Sequence, residues 1–373
     1  VKLPATALRS NLAGDVTSRF TTLVGRTAYI VDPTSLNAVD VLTGKTKWQV
    51  PTEGVPGDPN AQKGPFVSST GPRPPKLSTD GKTVVAAVPI TVPGQGTTPA
   101  HQAASVLAAN VKTGKKAWST TVDISDKASG GDGSGAVTSV VTATDKAVVV
   151  TYDTATASID PSNRKVLWQR DDYQAGAVNG DTVLGADSNV AENSSMLQAT
   201  ALDLVTGKQR WVAATRSSSV EVIPSHPNLF LLGRNDYGNG DSNLLFLDTN
   251  TGKEQVNVFK NRPFGLGYGL TPCDYDQRSV VVCHPDNVVA DDATNGKQLW
   301  SLPDTAANRI APSVRTVWHG ALYGNTPNGP VVLDAKTGKD RSAAPGAAPF
   351  WVSEYAGIGL DSQGVPVAYP IKE

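Results

Sequence analysis

The residues of this chain that are best suited to redox chemistry are two cysteines. Cys273 and Cys283 lie ten residues apart in the segment TPCDYDQRSVVVCHP. The segment is typical of a strand end, a turn at 274–278 and a return strand, and such a hairpin brings its two cysteines to bridging distance. We therefore predict an intramolecular disulfide between them, with two reduced core cysteines as the alternative.

Metal chemistry requires histidine, cysteine or carboxylate ligands at characteristic spacings. The sequence contains neither HExxH nor a paired CxxC, and its four histidines lie far apart. The segment RNDYGNGDSN, residues 234–243, gathers carboxylates and amides but departs from the spacing of a calcium loop. We expect a polar hairpin loop there, no bound metal, and surface or loop histidines at His101, His226, His284 and His319.

Nucleophilic catalysis is not indicated either. Ser134 lies in GGDGSGA, but Asp132 stands two residues before it, where a nucleophile elbow requires glycine. We interpret the segment as a loop and predict that the chain is not an enzyme.

Aspartates recur at a fixed place in a repeated motif, of which ALDLVTGKQRW is one copy. Seven segments related to TGK follow one another at intervals of 70, 50, 43, 45, 44 and 42 residues. Five positions before each lysine stands an aspartate or asparagine, which can cap the backbone N–H groups of a tight turn. We interpret these side chains as structural. They are Asp40, Asn110, Asp160, Asp203, Asp248, Asp292 and Asp334.

Glycine and tryptophan accompany this acid column. Glycine precedes the lysine in six of the seven repeats, as expected where a turn requires positive φ, and Arg164 is the exception. A tryptophan that recurs once per repeat is best explained by packing against the neighbouring repeat, with its indole N–H on a backbone acceptor. The five tryptophans are Trp48, Trp118, Trp168, Trp211 and Trp300.

The segments between the turns predict the fold. They are apolar and β-branched, as in RTAYIVD and KAVVVTYD, and no segment has a convincing helical stripe. A period of about 44 residues is typical of the four-stranded blades of a β-propeller. We predict an all-β propeller, a single domain spanning 1–373, with eight blades and seven as the alternative. Residues 1–12 are expected to pair with 349–373 in the last blade.

Charge and hydropathy limit the partners. Lysine and arginine total 33 against 34 acidic residues, and no basic block occurs, so we expect no nucleic-acid partner and no anionic-membrane footprint. No apolar run approaches the ~20 residues of a membrane helix. The chain starts at Val1 and its one methionine is Met196, which predicts a mature or trimmed ectodomain that reaches a membrane only through an upstream anchor.

The repeat LDxxTGKxxW resembles that of the pyrroloquinoline-quinone-type propeller family over essentially the whole chain. The family includes quinoprotein alcohol dehydrogenases, a propeller lipoprotein that assists outer-membrane assembly, and propeller ectodomains of bacterial membrane proteins and kinases. The dehydrogenases that it resembles place adjacent cysteines over the quinone and have calcium and an acidic base in the central funnel. This chain has no adjacent cysteines, and its aspartate column lies in turns, so we expect no cofactor.

Five long insertions indicate where a partner binds. Two link blades, at 51–75 and 123–136, and three connect second to third strands, at 93–103, 186–196 and 234–243. In propeller topology all five emerge on the face opposite the TGK turns, and loops on a rigid scaffold commonly carry function. The candidate partner-binding residues are Phe66, Pro93, Gln95, His101, Asn189, Asp236, Tyr237, Asn239 and Asp241.

The sequence therefore predicts an extracytoplasmic, non-catalytic propeller. We expect a monomeric protein-binding or scaffolding module of the bacterial envelope, with a protein partner, located at the cell surface, in a periplasm-like space or secreted. Two alternatives remain open. One is a quinoprotein-type oxidoreductase, and the other is a sensor ectodomain that binds a small ligand in the axial channel.

Overall fold

The computed structural model describes residues 21–32, 34–56, 71–123, 137–188, 196–223, 225–236, 241–257, 273–284, 287–342, 346–360 and 366–370. Within these ranges the regular secondary structure consists of strands. No helix in them has the length and hydropathy that crossing a bilayer requires.

The strands lie between the turns that the repeat marks. In chain order they are β1 (Thr21–Val24), β2 (Thr27–Asp32), β3 (Ser35–Asp40), β4 (Thr46–Pro51), β5 (Val55–Pro56), β6 (Gly71–Pro72), β7 (Lys76–Leu77), β8 (Thr83–Val92), β9 (His101–Asn110), β10 (Lys116–Asp123), β11 (Val137–Ala143), β12 (Val148–Tyr152), β13 (Ala155–Ile159), β14 (Val166–Arg170), β15 (Tyr173–Asn179), β16 (Thr182–Asp187), β17 (Leu197–Asp203), β18 (Gln209–Ser217), β19 (Ser219–Ile223), β20 (Leu229–Asp236), β21 (Asp241–Asp248), β22 (Glu254–Asn257), β23 (Cys273–Tyr275), β24 (Val280–Cys283), β25 (Val288–Asp292), β26 (Gln298–Leu302), β27 (Ser313–Trp318), β28 (Ala321–Thr326), β29 (Gly329–Asp334), β30 (Asp340–Ser342), β31 (Trp351–Val352), β32 (Ala356–Leu360) and β33 (Pro366–Pro370).

These strands form eight sheets, numbered 1 to 8 along the chain. Sheets 1, 4, 5, 6 and 7 are antiparallel sheets of four successive strands, β1–β4, β15–β18, β19–β22, β23–β26 and β27–β30. In sheet 2, β8–β10 are joined by β5 and β7, which pair with the two ends of β8, and in sheet 3, β6 runs parallel to β11 beside β12–β14. Sheet 8 contains β31–β33.

The chain is an all-β propeller of eight blades, as the repeat predicts. The segment 349–373 supplies three strands of sheet 8, whereas the predicted pairing of residues 1–12 with it lies outside the described residues.

The chain divides into two compact units. The first comprises Val1–Gln174, Leu204–Gly207 and Trp351–Glu373, and it contains sheets 1, 2, 3 and 8. The second comprises Ala175–Asp203 and Lys208–Phe350, and it contains sheets 5, 6 and 7 with most of sheet 4. In each unit the apolar core lies between consecutive sheets, for example sheets 1 and 2 or sheets 6 and 7.

The acid column caps the turns, as predicted. Asp40 Oδ1 accepts the backbone N–H groups of Leu42 and Thr43, each at 3.0 Å. The glycine that follows in this turn, Gly44, has φ of 70°, and Arg164 adopts the same left-handed region at 66°. The turn therefore keeps its backbone geometry even where the sequence departs from glycine.

Four of the five tryptophans of the repeat donate a hydrogen bond to the turn of the next sheet. Trp48 Nε1 donates to Val111 O at 3.1 Å, and a Cβ placed on Gly114 would lie 2.4 Å from the Trp48 ring. The glycine column thus has a second function, since it also leaves room for a ring. Equivalent indole bonds are made by Trp168 to Leu204 O, Trp211 to Thr249 O and Trp300 to Ala335 O.

Trp118 departs from this pattern, because the turn that follows it carries Arg164 in place of glycine. Trp118 packs against the core between sheets 2 and 3 and donates its indole N–H to no described residue. The one turn with a Cβ at the glycine position, that of Arg164, is therefore also the one whose preceding tryptophan, Trp118, lacks the indole hydrogen bond to a described residue.

The predicted disulfide is present. Cys273 and Cys283 are cross-strand partners of β23 and β24, with a Cα–Cα distance of 4.0 Å. Cys283 is fully buried in the core between sheets 5 and 6.

Candidate functional site

Each sheet has two ends with different connections. We call the end with the first-to-second and third-to-fourth turns the turn end, and the end with the second-to-third connection and the link to the next sheet the loop end. The capped TGK turns lie at the turn ends, and the long insertions that the sequence analysis identified lie at the loop ends.

The loop end of sheet 2 is where three of the five insertions begin. Four residues on four strands form one row of cross-strand partners, Pro56 with Ile90, Ile90 with Ala103, and Ala103 with Asp123. The insertions 57–70 and 124–136 follow directly on Pro56 and Asp123, the two outer members of this row, and the tip 93–100 lies two residue pairs beyond it. All three insertions of the first unit therefore start at this row of sheet 2 or within two residue pairs of it.

Two of these insertions also end at neighbouring positions of sheet 3. Gly71 and Val137, the first described residues after 57–70 and 124–136, are parallel partners on β6 and β11 of sheet 3. The Arg73 N–H donates to Thr138 O at 2.8 Å, and Thr138 Oγ1 donates to Ala87 O of sheet 2 at 2.8 Å. The strands that follow both insertions are therefore hydrogen-bonded to each other and, through Thr138, to sheet 2, from which both insertions start.

The hairpin between them projects beyond the core. β8 and β9 have ten residues each, and residues 93–100 at its tip are exposed. Gln95 and Thr98 exchange two backbone hydrogen bonds of 3.0 Å, which close the tip. A Cβ on Gly94 would lie 2.8 Å from Ala100 N, so this turn requires glycine. Pro93 and Gln95 thus lie on an ordered, solvent-facing tip.

His101 connects the hairpin to the start of the third insertion. Its Nε2 lies 3.2 Å from Asp123 Oδ1, and the exposed fraction of the Asp123 side chain is 77%. Gln169 of sheet 3 donates to Asp123 O at 3.1 Å. Asp123 is therefore the point at which the hairpin, the insertion 124–136 and sheet 3 meet.

Two titratable groups of sheet 3 lie at the neighbouring loop end. Burial raises the pKa of Tyr152, and the adjacent Asp153 carboxylate raises that pKa further. Burial also raises the pKa of Asp153, against the hydrogen bond of 2.8 Å that the Val137 N–H donates to its Oδ1. Asp153 has φ of 47° and receives the chain at its return from 124–136.

The structure brings together three of the predicted site residues, Pro93, Gln95 and His101. Asp236 and Asp241 form the last backbone pair of β20 and β21 in the second unit. The other predicted residues lie outside the described ones. They are Phe66, Asn189, Tyr237 and Asn239.

A groove in the second unit was missed by sequence reasoning. It has a volume of about 220 Å³ and lies between the link that follows β26 and the strands of sheet 7. Arg309 closes one side through Nη2, which donates to Asp340 Oδ1 at 2.6 Å, and Ile310 is half exposed beside it. The volume is below the ~300 Å³ of ordinary ligand pockets. The link is short, so insertion length gave no signal.

The histidines of the described residues have local partners. His284 Nε2 lies 2.9 Å from Asp274 Oδ2, and the His319 ring stacks on Trp318 with centroids 4.0 Å apart. His226 Nδ1 accepts the Asn228 N–H at 3.5 Å. In the described ranges no three His, Cys, Asp or Glu side chains converge closely enough to hold a metal ion.

Known proteins are similar to this chain over more than half of its length. A family model described as outer membrane protein assembly factor BamB matches residues 9–227. The crystal structure of BamB from Moraxella catarrhalis has 14% identity and a TM-score of 0.54, covering 100% of this chain and 96% of that chain. No curated protein matches the sequence significantly.

Two further crystal structures are similar. The computationally designed Ika8 protein has 13% identity and a TM-score of 0.57, covering 95% of this chain and 96% of its own. A eukaryotic initiation factor has 11% identity and a TM-score of 0.51, covering 89% of this chain and 77% of its own. At these identities the structural likenesses establish the fold.

Proposed function

From the premise that this chain belongs to the PQQ-like propeller family of the outer membrane protein assembly factor BamB, we propose that it is a non-catalytic module that binds a protein partner. We further propose that it acts as a monomer and a single domain outside the cytoplasm, in the bacterial envelope. The disulfide of sheet 6 supports an oxidising compartment.

The observation that supports this proposal most strongly is the row from Pro56 to Asp123. Three insertions start at that row or within two residue pairs of it, and two of them end at adjacent positions on sheet 3. Loops grouped in this way on a sheet can present one continuous surface, and a pre-ordered hairpin at the centre lowers the entropic cost of binding. We therefore place the partner at the loop end of sheet 2.

The chemistry of the described tip suits a protein partner. Its residues are exposed to solvent, and its side chains include Pro93, Gln95 and Thr98. The half-buried His101 and the exposed Asp123 place a polar pair at its base. Polar rims with few flexible side chains are typical of specific, non-obligate protein interfaces.

The test replaces residues 93–100 by an Asn-Gly turn. The ladder ends with the pair Val92 and His101, and a two-residue turn of this type can close such a pair without changing its register. We expect the variant to melt as the wild type does and to capture a partner from envelope extract at least about tenfold less well. Tyr237→Ala probes the corresponding loop of the second unit.

Lys208→Ala and Lys297→Ala serve as matched controls, because both lysines follow TGK-type turns at the turn ends. They should leave capture unchanged. Equal capture by the hairpin variant and the wild type, or loss confined to the lysine variants, would contradict the proposal.

A further inference from the structure

The turn ends of sheets 1, 2 and 3 carry many more cations than acids. We count the residues of the first-to-second turns, and those of the third-to-fourth turns from the capping Asp or Asn to two residues past the TGK lysine. These segments contain ten cationic residues and four acidic ones. The cations are Arg26, Lys45, Lys47, Lys82, Lys112, Lys115, Lys116, Lys146, Arg164 and Lys165, and the acids are Asp40, Asp80, Asp145 and Asp160.

The same segments of sheets 4 to 7 are balanced, with eight cations and eight acids. The cations are Lys208, Arg210, Lys253, Arg278, Lys297, Lys336, Lys339 and Arg341, and the acids are Asp181, Asp203, Asp248, Glu254, Asp276, Asp292, Asp334 and Asp340. The excess of positive charge is therefore a property of sheets 1 to 3 and not of the repeat.

Sheet 2 shows how this excess arises without loss of the turn. Asn110 stands where the other turns have aspartate, and its Oδ1 accepts the N–H groups of Lys112 and Thr113 at 3.0 Å each, as Asp40 does in sheet 1. The cap is preserved and its negative charge is removed. The turn itself carries Lys112, Lys115 and Lys116.

The three basic turns are neighbours in space. Trp48 of sheet 1 donates to Val111 O in the turn of sheet 2, and Val111 N donates to Lys82 O at 3.0 Å. Thr120 of sheet 2 donates to Arg164 O in the turn of sheet 3 at 3.3 Å. The cations therefore form one surface, although they are distributed over more than 130 residues of sequence.

Several of these cations are available to an outside partner. Arg26 and Lys47 both lie near Asp40, at 3.4 and 3.7 Å, and Lys116 pairs with Glu53. Four exposed lysines form no ion pair with any described residue. They are Lys45, Lys112, Lys115 and Lys165.

Exposed apolar side chains border the same surface. Val24 in the turn end of sheet 1 and Tyr355 in that of sheet 8 are 39% and 45% exposed, and Ser353 Oγ holds the two turns together through Gly25 O at 2.8 Å. Val205, on the turn that the Trp168 indole contacts, is 38% exposed. Lysines beside an exposed tyrosine are typical of surfaces that contact a membrane interface.

We propose that this surface, the turn ends of sheets 1 to 3, lies against an anionic phospholipid bilayer. Eight of its ten cations are lysine, a point charge suited to a diffuse negative surface rather than to bidentate phosphate recognition. The turns are short and offer no aromatic ladder on which nucleic-acid bases would stack. In this orientation the loop end of sheet 2 faces away from the lipid.

The experiment uses the full chain and vesicles of phosphatidylcholine with or without about 30% phosphatidylglycerol. We expect cosedimentation with the anionic vesicles at low salt, little with the neutral ones, and loss of binding near 0.5 M salt. The triple variant Lys112→Gln/Lys115→Gln/Lys165→Gln should bind roughly 100-fold more weakly, at about fivefold per lysine.

The matched control is Lys253→Gln/Lys297→Gln/Lys339→Gln, which removes the same net charge from the TGK-type turns of sheets 5 to 7. It should retain most of the binding, and both variants should melt as the wild type does. Equal binding to neutral and anionic vesicles would overturn the proposal, as would equal loss in the two triple variants. Tighter binding of a single-stranded oligonucleotide than of the vesicles would assign the surface to nucleic acid instead.

Discussion

Sheets 2 and 7 have the same four-stranded plan but differ at both ends. In sheet 2 the second and third strands have ten residues and the loop end leads into three insertions, whereas in sheet 7 they have six and are joined by the short turn between Thr326 and Gly329. In the third-to-fourth turn, sheet 2 has Asn110 and three lysines, and sheet 7 has Asp334 in an ion pair of 2.6 Å with Arg341.

What the two sheets share lies between these ends. Both have the left-handed glycine before the turn lysine, and both receive a tryptophan ring of the preceding sheet on that glycine. The comparison teaches that the repeat fixes the packing between sheets, while the strand ends vary without disturbing it. Specialisation is therefore concentrated in sheet 2, where both ends depart from the average repeat.

The shared packing can be broken by adding one methyl group. Gly114→Ala in sheet 2 and Gly338→Ala in sheet 7 place a Cβ 2.4 and 2.7 Å from a tryptophan ring at a position of positive φ. Strain and overpacking together should lower the free energy of unfolding by about 2 to 5 kcal/mol in each case. Denaturant midpoints measure the effect.

Gly81 provides the control within sheet 2. Its φ is 68°, as in the column, but a Cβ there would have no atom within 4 Å. Gly81→Ala should therefore cost only the backbone strain, about 1 to 2 kcal/mol. A cost equal to that of Gly114→Ala would mean that the ring contact does not require glycine.

Sheet 6 has a covalent link that sheets 2 and 7 lack. Replacing both Cys273 and Cys283 by alanine should lower the free energy of unfolding by about 2 to 3 kcal/mol, because the ten-residue loop is no longer closed in the unfolded chain. Two free thiols by mass analysis of protein folded under oxidising conditions would refute the bond itself.

The difference in charge between the turn ends can be reduced by a single substitution in sheet 2. Asn110→Asp keeps the cap and restores the charge of the other turns, so stability should change by less than about 0.5 kcal/mol while affinity for anionic vesicles falls roughly fivefold. Asp248→Asn in sheet 5 is the reciprocal change and should leave vesicle binding as it is. A large fall in stability for Asn110→Asp would show that the two caps are not equivalent.

The smallest effect is expected at Asp153 beside the loop end. Burial raises the pKa of this carboxyl, so the folded state holds its proton to a higher pH than the unfolded chain does. The group favours folding most at low pH, and this contribution declines as the pH rises through the raised pKa. Asp153→Asn keeps the acceptor for Val137 N–H and should raise the melting temperature at neutral pH but not in acid. A gain that is the same at every pH would contradict this assignment.

The features of the fold that belong to the repeat motif could be predicted from the sequence. The acid and glycine columns were predicted because each turn depends on residues a few positions apart, and the indole bonds of four tryptophans were predicted because the motif repeats once per sheet. Arg164 was identified as the exception, and the structure gives it the backbone angle of the glycine that it replaces.

What the sequence did not reveal depends on register between distant segments. The insertions were predicted to share a face, but only the pairing of Pro56, Ile90, Ala103 and Asp123 places the starts of three of them close together on one sheet. The basic surface was missed because its lysines are separated by tens of residues, so no window of sequence contains a basic block. The second function of the glycines was hidden for the same reason, since the ring comes from the preceding sheet.

In sheet 2 the first-strand position is shared by two short strands, β5 and β7. This has a consequence for local unfolding of the sheet. β5 and β7 cover only the two ends of β8, and between them it is the Thr138 hydroxyl of sheet 3 that bonds to Ala87 O. One sheet thus completes the hydrogen bonding of the other. Sheets 2 and 3 should therefore behave as a single cooperative unit, so that a fluctuation exposing the amides of one also exposes those of the other.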